Sequence, residues 1–259
     1  MAESNILVFD IETVVDIAGA RKILDLEAAS DDEVLKIVQG ERLAEANSLF
    51  PKLHLHKIAC ISVFIAKDNG EFILTTLGRD DSEAVILKRF FTAIEKFNPV
   101  LVSWNGKGFD VPVINYRSLI NGVSSKDFYD CESQSKKWNN YHSRYHNLHL
   151  DLMDFLSSYN QKAFAKLDEI AKLCGLPGKL GVDGSKVQEF WDSGKKEEIF
   201  DYCETDVLNT YGIYLRFELM RGNLSAENYS AKVKAVKDFL NSKSQKHLQE
   251  YLKIWNEND

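Results

Sequence analysis

Five residues in this chain have the type and spacing needed to hold a cation and a water molecule. Asp10 and Glu12 stand two apart in the segment Asn5 to Thr13, NILVFDIET. Side chains two apart on a strand leave the same face, so both carboxylates can reach one hard divalent ion. Asp110 closes the run Asn105-Gly106-Lys107-Gly108-Phe109-Asp110, after a short apolar stretch and at the start of a helical pattern. Tyr202 and Asp206 are four apart in Tyr202-Cys203-Glu204-Thr205-Asp206, and in a helix that spacing puts phenol and carboxylate on one face. Oxygen donors of this kind suit magnesium or manganese.

Each piece also has an ordinary reading. D-x-E recurs by chance in a chain with 39 acidic residues, as Asp25-Leu26-Glu27 illustrates. An aspartate after a Gly-rich turn is commonly a helix N-cap, and the glycine loop lacks the spacing of a P-loop. A Tyr-Asp pair on a helix is commonly core packing beside a surface acid.

The elements that must carry these residues follow from hydrophobic period and turn chemistry. The segment 5 to 13 is apolar on both alternating faces until Asp10, as a central strand covered on both sides should be. Residues 57 to 67 and 71 to 78 are β-rich runs separated by Asp68-Asn69-Gly70, a hairpin signal. A helix is predicted over 80 to 97, where Leu87, Phe90, Phe91, Ile94 and Phe97 recur at helical spacing before Asn98-Pro99. A short strand follows at 100 to 104, a helix at 110 to 120 and a fifth strand at 149 to 156. Helices are predicted at 163 to 174, 184 to 193 and 196 to 221, with one long lysine-rich amphipathic helix from 225 to 255. This order gives an α/β sandwich on a mixed five-stranded sheet. Residues 1 to 222 are read as one domain, with a helical insertion at 15 to 50, and residues 223 to 259 as a C-terminal helical extension.

At 259 residues and 44% hydrophobic content the chain can bury a sizeable core. No leader pattern or membrane-length apolar run is present, and Cys60, Cys131, Cys174 and Cys203 form no C-x-x-C pair. The expectation is a soluble cytoplasmic protein with reduced core thiols. The net charge of −7 argues against broad attraction to a polyanion, so affinity for one would come from a metal site and a few local contacts.

Taken in order, D-x-E on the first strand, N-x-x-x-F-D after the fourth and Y-x-x-x-D in a late helix resemble the DEDD superfamily of exonucleases. The N-x-x-x-F-D form is similar to the proofreading exonuclease domain of family B DNA polymerases and to a stand-alone bacterial family related to it. The position five residues before the last acid is Asp201 and not histidine, which indicates the tyrosine subclass. The resemblance covers about residues 5 to 220 and implies a ribonuclease H-like fold. It also implies a 3′-to-5′ exonuclease with two divalent cations, Mg2+ or Mn2+, held by Asp10, Glu12, Asp110 and Asp206, with Tyr202 orienting the attacking water. Glu12 and the amides of Thr13 and Val14 would receive the terminal 3′-hydroxyl, while Asn105 and Phe109 would touch the last nucleotide. The expected partner is nucleic acid, a single-stranded DNA 3′ end, released as nucleoside 5′-monophosphates. An RNA exonuclease of the same chemistry, or a non-catalytic nucleic-acid-binding module, are the alternatives.

Three further features carry less. The stretch 127 to 149 interleaves Lys136, Lys137 and Arg144 with Trp138, Tyr141 and Tyr145, as a single-strand groove or a polar aromatic loop would. His142, His146 and His149 with Asp151 have zinc-like spacing but no supporting cysteine, and read as structural. His54-Leu55-His56 reads as surface.

Overall fold

Ten residues of alternating apolar character and a partner on each side make β1 (Ile6–Val15) the middle of the sheet: Leu7, Val8, Phe9 and Ile11 are all buried although they leave opposite faces. The computed structural model describes residues 4–181 and 184–258. After β1 come α1 (Ile17–Ile23) and α2 (Asp31–Ala46), then the antiparallel strands β2 (His56–Ala66) and β3 (Phe72–Leu77). Next are α3 (Glu83–Phe97), β4 (Val100–Ser103), α4 (Asp110–Asn121) and the short α5 (Lys126–Tyr129). The chain continues through β5 (His149–Asp151), α6 (Leu152–Leu156), α7 (Leu167–Leu173), α8 (Val187–Asp192) and α9 (Lys196–Met220), and closes with α10 (Ala226–Asn241) and α11 (Lys246–Glu257). The sheet order is β3-β2-β1-β4-β5, with β4 and β5 parallel to β1 and the other two pairs antiparallel. This is the α/β architecture expected, a mixed five-stranded sheet flanked by helices.

Odd residues of β1 face one layer and even residues the other. Leu7, Phe9 and Ile11 pack with Phe90 and Phe91 of α3 and Val113 and Ile114 of α4. Val8 packs with Val207, Leu208 and Tyr211 of α9 and with Leu248, Tyr251 and Trp255 of α11. Asp10 and Glu12 continue the even face and therefore meet α9. The β1–β2 register shifts between Glu12, opposite Cys60, and Thr13, opposite Ile58. A bulge of this kind re-aims side chains at a strand end.

Four spans differ from the sequence reading. The fifth strand ends at Asp151 because that carboxylate caps a helix, accepting the Asp154 N–H at 3.3 Å, and 152 to 156 turns helical. The helix read at 163 to 174 starts only at Leu167 as α7, set off from the 3₁₀ turn Gln161–Ala163 by residues 164 to 166, and the one read at 184 to 193 begins with the 3₁₀ turn Gly184–Lys186 before α8. The single helix expected over 225 to 255 is two. Val236 and Leu240 of α10, like Leu248, Tyr251 and Trp255 of α11, bury against the same core, and the break at Ser242–Gln245 lets both stripes face it. Gln249 Nε2 secures the corner by donating to Leu240 O at 3.0 Å and Lys243 O at 2.6 Å.

The insertion is helical as expected and builds a small core of its own from Val15, Ala20, Val34, Val38 and Leu55. A capping box of Ser30 and Glu33 starts α2. Where the insertion leaves β1, Asp16 meets Arg117 of α4 at 2.5 Å, and Arg117 also holds Glu83 of α3 at 2.6 Å. Glu83 in turn accepts Ile58 N–H at 2.7 Å. This buried network ties the far end of β1 to both helices of one layer. Removing one partner would strand the others without water. No helix among the described residues is long and apolar enough to cross a membrane.

Candidate active site

Asp10 and Glu12 flank the middle of β1, and α9 lays Cys203 against them. One ligand atom from each of the three comes within 4.8 Å of the others, the only such group among the described residues. Cys203 donates from Sγ to Asp10 Oδ2 at 3.4 Å. Burial pushes the Cys203 thiol up, with Cys60 and the two acids adding, so it stays protonated and acts as a donor, not as a thiolate. The sequence reading took Cys203 for an ordinary core thiol. It is core, but its place three residues before Asp206 on one helical face also puts it on the floor of the site.

Asp110 comes from the opposite layer. It is the first residue of α4, and its Oδ1 accepts the backbone N–H of Ile11 at 3.1 Å, between Asp10 and Glu12 in the chain. Burial pushes the Asp110 carboxyl up to about 7, with Asp151 adding to the rise. Burial likewise holds Asp10 well above the usual carboxylate range, and the charges of Asp110 and Asp206 raise it further. Glu12 is raised by burial, Asp10, Cys60 and Asp206, and Lys179 opposes them. Asp10 is thus the shared neighbour, acted on by Asp110 from one layer and Asp206 from the other, while Glu12 is acted on by Asp10 and Asp206. Buried like charges are unfavourable unless protons or cations compensate them.

Tyr202 and Asp206 share a face of α9 as their spacing predicts, close enough for the carboxylate to act on the phenol. Burial and then the neighbouring acids push the phenol far above its ordinary range, so it keeps its proton. Lys179 Nζ lies 5.1 Å from the Tyr202 ring centroid. Lys179 was not singled out from sequence, since a lone lysine in a loop carries no local signal. Glu204, between the two site residues, turns the other way, to Thr76 Oγ1 at 2.7 Å and His247 Nε2 at 2.8 Å.

The loop that delivers Asp110 is held by Asp151. Its carboxylate accepts the N–H of Asn105 at 3.0 Å and of Lys107 at 2.9 Å. Asn105 takes the left-handed conformation, φ 64°. At Gly106 a Cβ would collide with Ser103 Oγ, so this turn requires glycine. Ser103 Oγ also lies 2.8 Å from His149 Nε2, and His149 Nδ1 is 3.2 Å from Tyr141 O. His149 is thus a buried structural group. Asp151 and the histidines at 142, 146 and 149 make no metal-binding cluster among the described residues.

Asn105 lines a cavity of about 440 Å³ with Lys107, Tyr141, Arg144 and Asp154. The segment 127 to 149 divides there. Tyr141 is core, donating to Pro99 O at 2.9 Å, and Arg144 is paired with Asp154 at 2.7 Å. Trp138 and Tyr145 stay 72% and 68% exposed. Phe109 is half-buried against His56 and Phe50, with ring centroids 5.1 and 5.4 Å away. His56, expected on the surface, is buried: its Nδ1 lies 2.8 Å from Thr13 Oγ1, and its Nε2 lies 3.2 Å from Pro51 O. Burial pushes its imidazole down to about 4. The Val14 side chain points into a core of Cys60, Val187 and Phe200, which leaves only its backbone for a substrate.

Residues 48–255 match a family described as a predicted 3′-5′ exonuclease related to the exonuclease domain of PolB. The chain is 24% identical over 152 residues to a DNA polymerase of Archaeoglobus fulgidus, covering 56% of this chain and 18% of that one. Its fold is similar to that of the family B DNA polymerase from Pyrobaculum calidifontis, with a TM-score of 0.53 and 21% identity over 84% of this chain and 25% of the polymerase. The chain therefore spans a quarter or less of the length of these relatives.

Proposed function

Since the chain belongs to the family of predicted 3′-5′ exonucleases related to the exonuclease domain of PolB, we propose that it hydrolyses single-stranded DNA from the 3′ end, releasing nucleoside 5′-monophosphates. The observation that carries this reading is the approach of Asp206 from α9 and Asp110 from α4 to Asp10 and Glu12 on the central strand β1.

The donor set fits hard cations. Asp110 and Asp206 are buried, Asp10 and Glu12 partly so, Asp10 is repelled by its acid neighbours, and the one sulfur among them holds its proton. Asp10, Glu12 and Asp206 would hold one ion, and Asp10 with Asp110 a second, as magnesium or manganese. Two such ions, when bound, supply Lewis acidity and charge neutralisation for phosphodiester hydrolysis.

The rest falls to the chain. Cys203 fixes one oxygen of Asp10 and leaves the other free of that bond. The Ile11 N–H fixes one oxygen of Asp110. Tyr202 keeps its phenolic proton under burial and the neighbouring acids, so its role is to orient water by hydrogen bonding and not to remove a proton. Glu12 and the amides of Thr13 and Val14 receive the 3′-hydroxyl, and Asn105 and Phe109 contact the terminal nucleotide. Asp151 holds the Asn105–Asp110 loop in the conformation this contact needs.

Incubation of 5′-labelled single- and double-stranded DNA and RNA with magnesium or manganese tests the reading. The expected result is a ladder shortening from the 3′ end on single-stranded DNA, abolished by EDTA. Absence of any shortening with either ion would overturn it.

A further inference from the structure

Beside the carboxylates lies a group of three rings of which the proposed function uses one. Phe50, at the end of the insertion, has its ring centroid 4.7 Å from His56 and 5.4 Å from Phe109, yet remains 52% exposed. Its backbone is secured on both sides. The Phe50 N–H donates to Ser48 Oγ at 3.1 Å, and Arg42 Nε donates to Phe50 O at 2.9 Å. The ring beneath it is equally fixed, since His56 contacts Thr13 Oγ1 with one nitrogen and Pro51 O with the other.

This group adjoins the acids through the chain on two sides. Phe109 immediately precedes Asp110, and Thr13 immediately follows Glu12. An aromatic face standing on two other rings, with its backbone already ordered, gives up little entropy when a flat partner lies on it. A strand whose end reaches the carboxylates brings such a partner with every nucleotide, and base–aromatic stacking is the general way single strands are held without sequence preference. Leu43 and Leu49 are also exposed nearby, which a protein partner could use. The continuity of Phe50 with Phe109 and the acids favours the base.

We infer that Phe50 is a stacking platform for the 3′-terminal base, forming with Phe109 an aromatic wall that binds any base and binds purines more tightly than pyrimidines. The inference rests on the proposed exonuclease reading for the identity of the strand. Phe50 positions substrate and takes no part in bond breaking.

The test compares the parent with Phe50→Ala and Phe50→Tyr on a single-stranded oligonucleotide and on its twin with an abasic 3′-terminal residue. Phe50→Ala should raise KM on the ordinary strand by roughly five- to a hundredfold, leave kcat within about twofold, and leave KM on the abasic strand unchanged. Phe50→Tyr should restore the parent value. In parallel, the fluorescence of a 3′-terminal 2-aminopurine should be quenched on binding to the parent and to Phe50→Tyr, but not to Phe50→Ala. An unchanged KM on the ordinary strand, or an equal loss on both strands, overturns the inference. If no variant or parent cleaves any strand, the exonuclease reading has failed, and the 2-aminopurine binding measurement alone decides the role of Phe50. Equal quenching by parent and Phe50→Ala, or none by the parent, overturns it.

Discussion

Asp110 Oδ1 and the backbone N–H of Ile11, 3.1 Å apart, join the first residue of α4 to the middle of β1 across 99 positions of sequence. That single bond brings an acid from one helical layer to the part of the central strand that presents Asp10 and Glu12 to the other. The Arg117 network anchors the same helix one turn pair further on, at Asp16 and Glu83. The acids are therefore placed by rigid elements, so the loss of one side chain should alter chemistry more than fold.

Asp10→Ala and Asp206→Ala are each expected to lower turnover by about a thousandfold or more, since each removes a ligand from the proposed cation site. Neither should unfold the protein, because each also removes a buried charge from a repelling cluster. Manganese should raise the melting temperature of the parent and raise it less in either variant. Thermal melts with and without the ion, run beside the nuclease assay, check both halves. Full activity in a variant of native stability would refute the assignment.

Tyr202→Phe should cost less, on the order of ten- to a thousandfold, because it removes a hydrogen bond to water and no metal ligand. Burial and the nearby acids keep the phenol protonated, so the residual activity of Tyr202→Phe should show the same pH profile as the parent. A profile that loses a limb in the variant would mean that the phenol itself titrates in the reaction.

Much of this arrangement is legible in the sequence because it depends on local period. Two-residue alternation puts Asp10 and Glu12 on one face, four-residue spacing does the same for Tyr202 and Asp206, and Asp68-Asn69-Gly70 marks the hairpin. What stays hidden depends on distant contacts. The thiol of Cys203 meets Asp10 across 193 positions and the Thr13–His56 pair spans 43, and neither leaves a trace in the residues beside it. The division of the C-terminal helix is hidden for another reason. Ser242-Lys243-Ser244 contains no proline or glycine, and the apolar stripe has the same period on either side, so only the need of both stripes for one core bends the chain.

The docking of α11 should depend on pH through His247. Its Nδ1 lies 3.0 Å from Asp201 and its Nε2 2.8 Å from Glu204, both on α9. Burial alone pushes this imidazole down, but the bonds and charges of the two acids outweigh it and raise it from 6.5 to about 9. A raised histidine contributes stability that is fully present below its unfolded value and is lost as pH climbs through the folded one. Chemical denaturation of parent and His247→Gln should therefore differ by roughly 2 kcal/mol near pH 6 and converge near pH 10. A difference that grows with pH would contradict the assignment of a charged His247.

The polarity of entry rests on Glu12 and the amides of Thr13 and Val14. In the proposed function these groups receive a free 3′-hydroxyl, a small neutral donor that suits a carboxylate. A 3′-phosphate would bring about two negative charges to the same place. Glu12 is already raised by burial, Asp10, Cys60 and Asp206, and Coulomb repulsion at such short range in a buried site is severe. The bulge after Glu12 leaves little room as well, because the Val14 side chain fills the core beside it and Thr13 is engaged with His56. A strand ending in a 3′-phosphate should thus be degraded at least about tenfold more slowly than its 3′-hydroxyl twin, while a 5′-phosphate changes little. Timed ladders from the four end-modified forms of one oligonucleotide measure this directly. Equal rates at both 3′ ends, or shortening from the 5′ end, would mean that substrate reaches the acids by another path.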